Sequence, residues 1–253
     1  GAASLALYAD DERPQGPLIR AGERGAGQWR SVSWDEALDY VAERLKTIMV
    51  TYGPRSVLWS ERPGPFSDMS KALMRGLGSP NYCTHDDACA HNVNQASYSL
   101  TGHGRGKWIY DFKNCRHIVV QGRNFLESLK VGELNQVLDA LDKGCRLTCV
   151  DVRPTVTGLK AQQNLCIRPG TDLALNLAVL HVLIEEKLYD VAYVERYVQD
   201  FEALADFVRP YSPQWAESQC DIPADVIAEL ARSLAAAAPR VIWHGGWMST
   251  RYP

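Results

Sequence analysis

The 253-residue sequence lacks a long apolar run and an excess of charge of either sign. Its most apolar stretch, DLALNLAVLHVLI, is interrupted by Asn176 and His181 and falls short of the roughly 20 residues that a membrane-spanning helix needs. The net charge of −3 gives no electrostatic reason to expect a nucleic-acid partner. The hydrophobic fraction of 46% is that of a globular protein with a buried core.

The cysteines do not form a pattern that is typical of a disulfide framework. There are seven of them, an odd number, and most lie beside or within apolar stretches, which favours reduced thiols. No cysteine precedes Cys83. The chain begins at Gly1 without a methionine or a targeting segment, and it ends at Pro253 just after the strand-like RVIWHGGW. We therefore expect it to be a segment of a longer protein.

Alternating strand and helix patterns predict an α/β fold. Ser33, three residues before Glu36, is a helix-capping signature. Farther along, the strand patterns HIVVQG, RLTCVDV and NLCIRPG alternate with the helical patterns ESLKVGELNQVLDALDKG and TDLALNLAVLHVLIEEKL. This order predicts a parallel, Rossmann-like sheet with helices on both faces. We divide the chain into an irregular arm (1–30), an α/β segment (31–109) and a Rossmann-like segment (110–253) that is truncated at its C-terminal end.

Glycine and polar residues follow each of the predicted strands. They are Gly122 and Asn124, then Asp151 and Arg153, then Gly170 and Asp172. Ligands of open parallel sheets bind beyond the carboxyl ends of the strands, so this pattern favours a nucleotide site, with Asp151 where Rossmann-type folds place an acid against ribose hydroxyls. The absence of G-x-G-x-x-G argues against ordinary NAD or FAD binding. The residues alone leave open that these positions are only turns of an α/β sheet.

The stretch NYCTHDDACAHNVNQ contains four candidate metal ligands, Cys83, His85, Cys89 and His91. Their spacing differs from that of zinc ribbons and fingers, which use two separated pairs of ligands. Four interpretations stay open at this point: buried residues without a ligand role, one ligand to a cofactor metal, a zinc site, and a nucleophilic Cys–His pair.

A series of motifs in order resembles a known family. The motifs are S-W-D-E-A-L, G-S-P-N, T-H-D-D-A-C, V-V-Q-G-R-N-x2-E-S, D-V-R-P-T-V-T and I-R-P-G-T-D-L-A-L. Together they resemble the molybdopterin oxidoreductases of the dimethyl-sulfoxide-reductase superfamily, and the resemblance runs from about Tyr8 to His244. G-S-P-N and T-H-D-D-A-C are most similar to the branch of polysulfide, thiosulfate, tetrathionate and arsenate reductases. The resemblance implies part of a multi-domain molybdopterin oxidoreductase fold, with the metal-ligand loop in the 31–109 segment.

The resemblance also implies a cofactor and the residues that hold it. Cys89 would ligate molybdenum, because a single soft thiolate suits a metal whose other sulfurs come from the two dithiolenes of bis(molybdopterin guanine dinucleotide). His85 would act beside Cys89 in catalysis, and His91 would support the same pocket. Cys83 receives no role. The implied cofactor contacts are Gly122, Asn124, Glu127, Asp151, Arg153, Gly170, Asp172, Gly245 and Gly246.

For function, the resemblance implies an oxidoreductase of sulfur metabolism and anaerobic respiration that acts on a small inorganic substrate, either a sulfur or arsenic oxyanion or a polysulfide. Electrons would pass through an iron-sulfur cluster in an N-terminal part outside this chain to an iron-sulfur subunit and a membrane-anchor subunit. The chain alone is therefore expected to be inactive. We expect a membrane-associated complex on the cytoplasmic face, with the periplasmic face as the alternative.

Three alternatives accompany this interpretation. Within the same class, the protein is a Cys-ligated formate dehydrogenase or nitrate reductase. In another class, it is a molybdenum-free electron-transfer scaffold like the related subunit of respiratory complex I, although a scaffold has no need of the Cys89 thiolate. The third alternative is an unrelated nucleotide-binding α/β module.

Overall fold

The computed structural model describes residues 2–85, 89, 91–104 and 108–246. Contacts within the chain divide it into two units, Gly1–Ala88 and Cys89–Pro253. The division falls inside the predicted 31–109 segment. Among the described residues, no helix is both long and apolar enough to cross a membrane.

The N-terminal part of the first unit differs from the irregular arm that we predicted for residues 1–30. It contains helix α1 (Ala2–Tyr8) and two antiparallel strands, β1 (Leu18–Arg20) and β2 (Trp29–Ser31). Gly25 and Gly27, at φ 95° and 68°, lie between the strands. Glycine adopts this left-handed backbone without a steric penalty, so the glycine-rich composition marks a turn of a hairpin and not an unstructured arm.

The rest of the first unit contains helix α2 (Trp34–Tyr52), strand β3 (Trp59–Glu61), helix α3 (Ser67–Gly76) and strand β4 (Tyr82–Thr84). The predicted cap of α2 is confirmed, because the Ser33 hydroxyl accepts a hydrogen bond from the Glu36 amide at 3.2 Å. Strands β3 and β4 are parallel and pair Ser60 with Cys83 and Glu61 with Thr84. This pairing positions the start of the Cys/His-rich stretch.

The second unit contains a parallel sheet, as predicted. Its strands are β5 (His117–Gln121), β6 (Arg146–Asp151), β7 (Gln163–Cys166) and β8 (Val241–Gly245), in the order β7-β6-β5-β8. Within its described residues, the α-helices of this unit are α4 (His91–Thr101), α5 (Phe125–Ser128), α6 (Val131–Asp142), α7 (Val156–Lys160), α8 (Asp172–Glu185), α9 (Val191–Tyr197), α10 (Phe201–Val208), α11 (Pro213–Cys220) and α12 (Ala224–Ala237).

Both faces of this sheet are covered, which confirms the α/β prediction. Alternate residues of each strand point to opposite faces. Val119 and Val150 join a core with residues of α8, α11 and α12, whereas Ile118 and Leu147 join a second core with residues of α6. These strand residues are 0–1% exposed, which accounts for the nearly continuous apolar character of the strands.

The helical pattern predicted for residues 127–144 forms two helices instead of one. Helix α5 ends at Ser128, and α6 begins at Val131 after Leu129 and Lys130, which have extended backbone with ψ of 154° and 145°. Gly144, at φ 87°, follows α6, as the pattern predicts. Because of this break, α5 is a short separate helix that follows the carboxyl end of β5.

Candidate functional site

The carboxyl ends of β5 and β8 form the switch point of the parallel sheet. After β5, the chain adds β6 and β7 on one side, and β8 then joins the opposite side of β5. In open α/β sheets, the point where the strand order reverses leaves a crevice in which ligands bind. Gln121 and Gly245 are paired in register across this point, so Gly122 and Gly246 follow directly at the crevice.

Two predicted cofactor-contact glycines approach each other closely here. Gly122 has φ 63°, and the amide of Gly246 donates a hydrogen bond to the Gln121 carbonyl at 2.6 Å. A Cβ atom built on Gly246 would lie 2.0 Å from the Gly122 carbonyl oxygen. Because that neighbour is backbone, it cannot rotate away, so position 246 accepts only glycine without a shift of one strand end.

Gln121 is a central residue of this edge that the sequence reasoning did not assign to the site. Its side chain is 1% exposed. The carboxamide oxygen accepts a hydrogen bond from the Trp243 indole N–H at 2.8 Å, and the carboxamide N–H donates to Asp172 Oδ1 at 3.0 Å. Gln121 thus ties β8 and the start of α8 to the end of β5. A polar residue at the end of the apolar run HIVVQ was the available signal.

The Asp172 carboxyl is buried at the first residue of α8 and has a raised pKa. It is 8% exposed, and burial is the main cause of the raised pKa. The negative charge of Asp151 acts in the same direction, whereas the hydrogen bond from Gln121 opposes it. Thr171 occupies the N-cap position, but its hydroxyl donates to the Arg168 carbonyl at 2.7 Å. The carboxylate of Asp172 therefore retains acceptor capacity for a ligand.

We expect Asp172→Asn to raise the melting temperature of the cofactor-free protein at pH 7. A carboxyl group with a raised folded-state pKa stabilises the fold below its usual pKa of 3.8, and this contribution is lost as the pH rises through the folded value. The asparagine oxygen still accepts from Gln121 but carries no charge to desolvate. Melting followed by circular dichroism should show a difference that shrinks toward pH 3. The exposed control Asp139→Asn should show none, and an Asp172→Asn difference independent of pH would contradict the assignment.

Asn124 and Glu127 are brought together at the end of β5. The Asn124 amide N–H donates to Glu127 Oε2, and Asn124 Oδ1 accepts from the Thr157 hydroxyl at 2.7 Å. The Thr157 hydroxyl in turn accepts from the Leu126 amide at 3.0 Å. Asn124 therefore links the loop after β5 to α7, and Thr157 is a buried partner that the sequence reasoning missed.

The remaining predicted cofactor contacts lie at the carboxyl end of β6 and just before α8. Asp151 is half-buried, and its carboxylate accepts from the Val152 amide at 2.8 Å. Arg153 is exposed, with its guanidinium 3.5 Å from the Pro154 carbonyl oxygen. Gly170, at φ 81°, lies two residues before α8. All three stand on the same edge as Gly122, as the strand pattern predicts.

Arg123 supplies a half-buried positive charge beside the switch point. Its Nη1 atom is 3.4 Å from His244 Nε2, and its guanidinium carbon is 5.7 Å from the centre of the Phe125 ring. The buried His244 ring stacks on Tyr110 at 4.4 Å and meets Phe125 edge-to-face at 4.7 Å. These rings fix the guanidinium at the carboxyl end of β5, where it can attract an anionic group.

The predicted metal ligand Cys89 is half-buried and helical, two residues before α4. Residues 86–88 and 90 lie outside the described part of the chain. His85 is exposed at the turn after β4, in the other unit, so its pairing with Cys89 stays a prediction. His91 Nε2 is 3.3 Å from Gln95 Nε2 one helical turn later. Within the described residues, no three His, Cys, Asp or Glu side chains are grouped to hold a metal ion.

An apolar cavity of about 250 Å³ connects α4 with the glycine end of β8. Its lining includes Val93, Leu100, Trp108, Tyr110, Gly245 and Gly246. The helix that follows Cys89 and the glycines of the switch point therefore share one cavity. Its mostly apolar lining is typical of sites that enclose organic ligands.

In the first unit, Glu61 is held by three side-chain donors beside β4. The Tyr82 hydroxyl donates to Oε1 at 2.6 Å, and the Trp59 indole and Ser70 hydroxyl donate to Oε2 at 2.9 and 2.8 Å. These hydrogen bonds, that of Tyr82 most strongly, lower the pKa of Glu61 from its usual 4.5 to about 2. Glu61 thereby anchors the strand that leads to Cys83 and His85.

We expect Glu61→Gln to destabilise the first unit at neutral pH, because the amide is a weaker acceptor than the carboxylate. A lowered pKa stabilises the fold above the usual value, and the contribution is lost as the pH falls from about 4.5 to about 2. The melting temperatures of wild type and variant should therefore differ at pH 7 and converge toward pH 2. The exposed Glu133→Gln serves as control. Equal melting temperatures at pH 7 would show that these hydrogen bonds do not stabilise the strand.

In comparisons with known proteins, a family model and several relatives match most of this chain. A model of the molybdopterin oxidoreductase family matches residues 13–242. The chain is 37% identical to the thiosulfate reductase molybdopterin-containing subunit of Salmonella typhimurium over 250 residues, which are 99% of this chain and 33% of the relative. It is 33% identical to the acetylene hydratase of Syntrophotalea acetylenica over 225 residues, 85% of this chain and 28% of the relative.

Among solved structures, the fold is similar to that of acetylene hydratase from Pelobacter acetylenicus. The TM-score is 0.80 at 29% identity, over 98% of this chain and 34% of the other. The chain thus spans about a third of the length of the relatives it matches. The similarity covers both units that the structure describes.

Proposed function

Because this chain belongs to the molybdopterin oxidoreductase family, we propose that the complete protein is a molybdenum oxidoreductase that binds bis(molybdopterin guanine dinucleotide). The family implies molybdenum and molybdopterin, and the guanine dinucleotide form is our extension. The observation that carries the proposal is the glycine contact at the switch point, where Gly246 packs against the Gly122 carbonyl and, with Gly245, lines an apolar cavity. A dinucleotide tail needs this kind of close backbone approach.

The polar groups of the edge suit the parts of a guanine dinucleotide tail. The buried carboxylate of Asp172, oriented by Gln121, would accept hydrogen bonds from the adjacent N–H groups of a guanine edge. Asp151 would accept from ribose hydroxyls. Arg123 would neutralise a phosphate from its position beside His244. Together these residues would fix the tail and leave its reactive end free to extend beyond the sheet.

Cys89 would supply the protein ligand to molybdenum. A thiolate is a soft donor, and a metal already bound by dithiolene sulfurs needs only one such atom from the chain. When bound, this cofactor supplies two-electron redox chemistry and the transfer of an oxygen or sulfur atom. His85 would donate a hydrogen bond to the substrate or the thiolate, and Glu61 would hold the strand that carries it.

For the substrate, we propose a small inorganic sulfur or arsenic oxyanion or a polysulfide. The 37% identity to a thiosulfate reductase subunit over nearly the whole chain supports this class. We further propose an iron-sulfur cluster elsewhere in the complete protein, with an iron-sulfur subunit and a membrane-anchor subunit as partners. Such a complex would lie at the membrane, with the catalytic subunit on the cytoplasmic face and the periplasmic face as the alternative.

The complete protein, produced in cells that make the cofactor, tests this proposal. Elemental analysis should detect molybdenum, oxidation should release a fluorescent pterin, and hydrolysis should release two guanine nucleotides for each metal. Reduced dye should be oxidised by thiosulfate, polysulfide, tetrathionate or arsenate. A folded complete protein without molybdenum or pterin would overturn the proposal.

The same assay separates the alternatives. Turnover of formate or nitrate alone would assign the protein to the alternative enzymes of the same class. Hydration of acetylene would instead indicate the activity for which the second relative, acetylene hydratase, is named. Iron-sulfur centres without molybdenum would indicate the electron-transfer scaffold. The unrelated nucleotide-binding module is excluded, because the family model matches 13–242.

A further inference from the structure

Three side chains form a hydrogen-bonded series across the carboxyl edge of the sheet. The Trp243 indole N–H donates to the carboxamide oxygen of Gln121 at 2.8 Å, and the carboxamide N–H of Gln121 donates to Asp172 Oδ1 at 3.0 Å. The series joins β8, the last residue of β5 and the first residue of α8. Gln121 and Asp172 are buried, so water competes little for either hydrogen bond.

The register of β5 and β8 explains why the indole reaches Gln121. Trp243 lies opposite Val119, and Gly245 lies opposite Gln121. Residues two apart on a strand share a face, so the side chains of Trp243 and Gln121 lie on the same face of the sheet. Because Gly245 has no side chain, the place directly opposite Gln121 is open to the indole, which reaches it from the diagonal position.

The direction of both hydrogen bonds is fixed by the chemistry of the two ends. An indole N–H only donates, and an ionised carboxylate only accepts. The Gln121 carboxamide therefore presents its oxygen to Trp243 and its NH2 group to Asp172. The opposite orientation would place two donors against each other at Trp243 and two acceptors against each other at Asp172, and would leave buried polar groups without partners.

Trp243 thereby keeps a donor directed at Asp172 and holds that side chain as an acceptor. Burial raises the pKa of Asp172 and the hydrogen bond from Gln121 opposes this rise, so loss of the donor favours the protonated carboxyl. A carboxylate has acceptor sites on both oxygens, and the hydrogen bond from Gln121 occupies one of them, on Oδ1. What Asp172 offers to a ligand is therefore acceptor capacity alone.

Acceptor capacity alone distinguishes guanine from adenine. The Watson–Crick edge of guanine carries two adjacent donors, N1–H and the 2-amino group, which match the two oxygens of a carboxylate. Adenine has an unprotonated N1 in the same place, and this acceptor would be repelled by a carboxylate oxygen. A site whose buried polar groups match one ligand rejects a similar ligand that leaves them unpaired.

We propose that Trp243 and Gln121 are positioning residues that select guanine over adenine at the proposed nucleotide site, because they hold Asp172 as an acceptor-only carboxylate. The inference rests on the proposed dinucleotide function and adds the residues that determine its base. Both residues act through Asp172 and not by touching the base. Their effect is therefore a preference between bases rather than a general gain in affinity.

Equilibrium dialysis of labelled GDP, IDP and ADP tests the proposal on the complete protein, produced in cells that do not make the cofactor. Wild type should bind GDP at least about a hundredfold more tightly than ADP. IDP keeps N1–H but lacks the 2-amino group, so its affinity should fall between the two. These three affinities are measured on the unsubstituted protein and do not depend on enzymatic activity.

Two substitutions remove the hydrogen bonds and retain the size of the side chain. Trp243→Phe loses the indole N–H and keeps an aromatic ring, whereas Gln121→Met keeps the length of the side chain and loses both hydrogen bonds. In each variant the ratio of GDP to ADP affinity should fall by at least about tenfold, the effect of one lost charge-assisted hydrogen bond. The matched control is Trp215→Phe, because Trp215 is half-buried against the same core as Trp243. Its ratio should stay within about twofold of wild type.

Asp172→Asn tests the direction of the series. The NH2 group of Gln121 would hold the asparagine oxygen, so the asparagine NH2 group would face the ligand and donate to adenine N1. The preference should therefore shift from GDP toward ADP. Since we expect this variant to melt above wild type, it decides the question even where Trp243→Phe or Gln121→Met fails to fold.

The outcomes separate this inference from the proposed function. A preference for GDP that persists in Trp243→Phe, Gln121→Met and Asp172→Asn would overturn the inference and leave the proposed function intact. Equal binding of GDP and ADP by wild type would likewise overturn base selection by Asp172. If the folded wild-type protein binds none of the three nucleotides, the dinucleotide site itself is contradicted, and the inference is overturned with it.

Discussion

Replacing Cys89 by serine is expected to reduce turnover of the complete protein by about 10³, the effect of losing several kcal/mol of metal-centred transition-state stabilisation. Serine keeps the size of the side chain but substitutes a hard oxygen for a soft sulfur. The loss should appear in kcat, measured with reduced dye and the preferred substrate. Molybdenum and guanine nucleotide content should fall much less, because in the proposed site the tails bind the sheet edge and not Cys89.

The matched control is Cys83→Ser. Cys83 is also half-buried and lies six residues earlier, in β4 opposite Ser60, and we assign it no part in catalysis. Its kcat should stay within about twofold of wild type, as expected for a substitution outside the reacting groups. Equal losses in both variants would show that the stretch is sensitive to any change and would remove the specific role of Cys89.

Gly246→Ala is expected to lower both the stability of the protein and its cofactor content. The added Cβ would lie 2.0 Å from the Gly122 carbonyl oxygen, so the ends of β5 and β8 must separate. Overpacking of this kind costs about 3 kcal/mol, which lowers the melting temperature by roughly 6–12 °C. The guanine nucleotide released per protein should fall as well, because the separation distorts the switch point.

The control for this variant is Gly132→Ala. Gly132 lies in the first turn of α6, and a Cβ atom there meets nothing within 4 Å. Alanine in a helix is favoured over glycine by about 0.5–1 kcal/mol, so the melting temperature should stay equal or rise slightly. If Gly246→Ala has the melting temperature of wild type and keeps its guanine nucleotide, the close contact between Gly246 and Gly122 is not needed for the site.

The sequence predicts the parallel sheet well, because the strands are buried on both faces and each helix pattern is amphipathic or apolar. The capping signature at Ser33 and the glycine after α6 are local signals, and the structure confirms both. The hairpin of β1 and β2 escaped prediction because three-residue strands carry too few residues for a clear alternation. Helix α11 was also missed, although Ser212 and Pro213 form a recognisable helix start.

The sequence predicts which strand ends carry the candidate site, but it does not predict the hydrogen bonds between the side chains there. The placement of Gly122, Asp151 and Asp172 on one edge follows from topology alone. The link from Trp243 through Gln121 to Asp172 joins residues 51 and 122 positions apart, and no local pattern reveals it. The donors to Glu61 likewise come from three elements, since Tyr82 is brought near by the β3–β4 pairing and Ser70 by α3, whereas Trp59 lies on β3 itself. The metal role of Cys89 came from the family resemblance, since spacing alone left four interpretations open.

The most direct test of the molybdenum site is X-ray absorption at the molybdenum edge of the complete protein. The account predicts one sulfur ligand fewer in Cys89→Ser than in wild type, with a new oxygen ligand or a vacant position and with wild-type spectra retained in Cys83→Ser. Identical sulfur coordination in wild type and Cys89→Ser would contradict the assignment of Cys89 as the metal ligand.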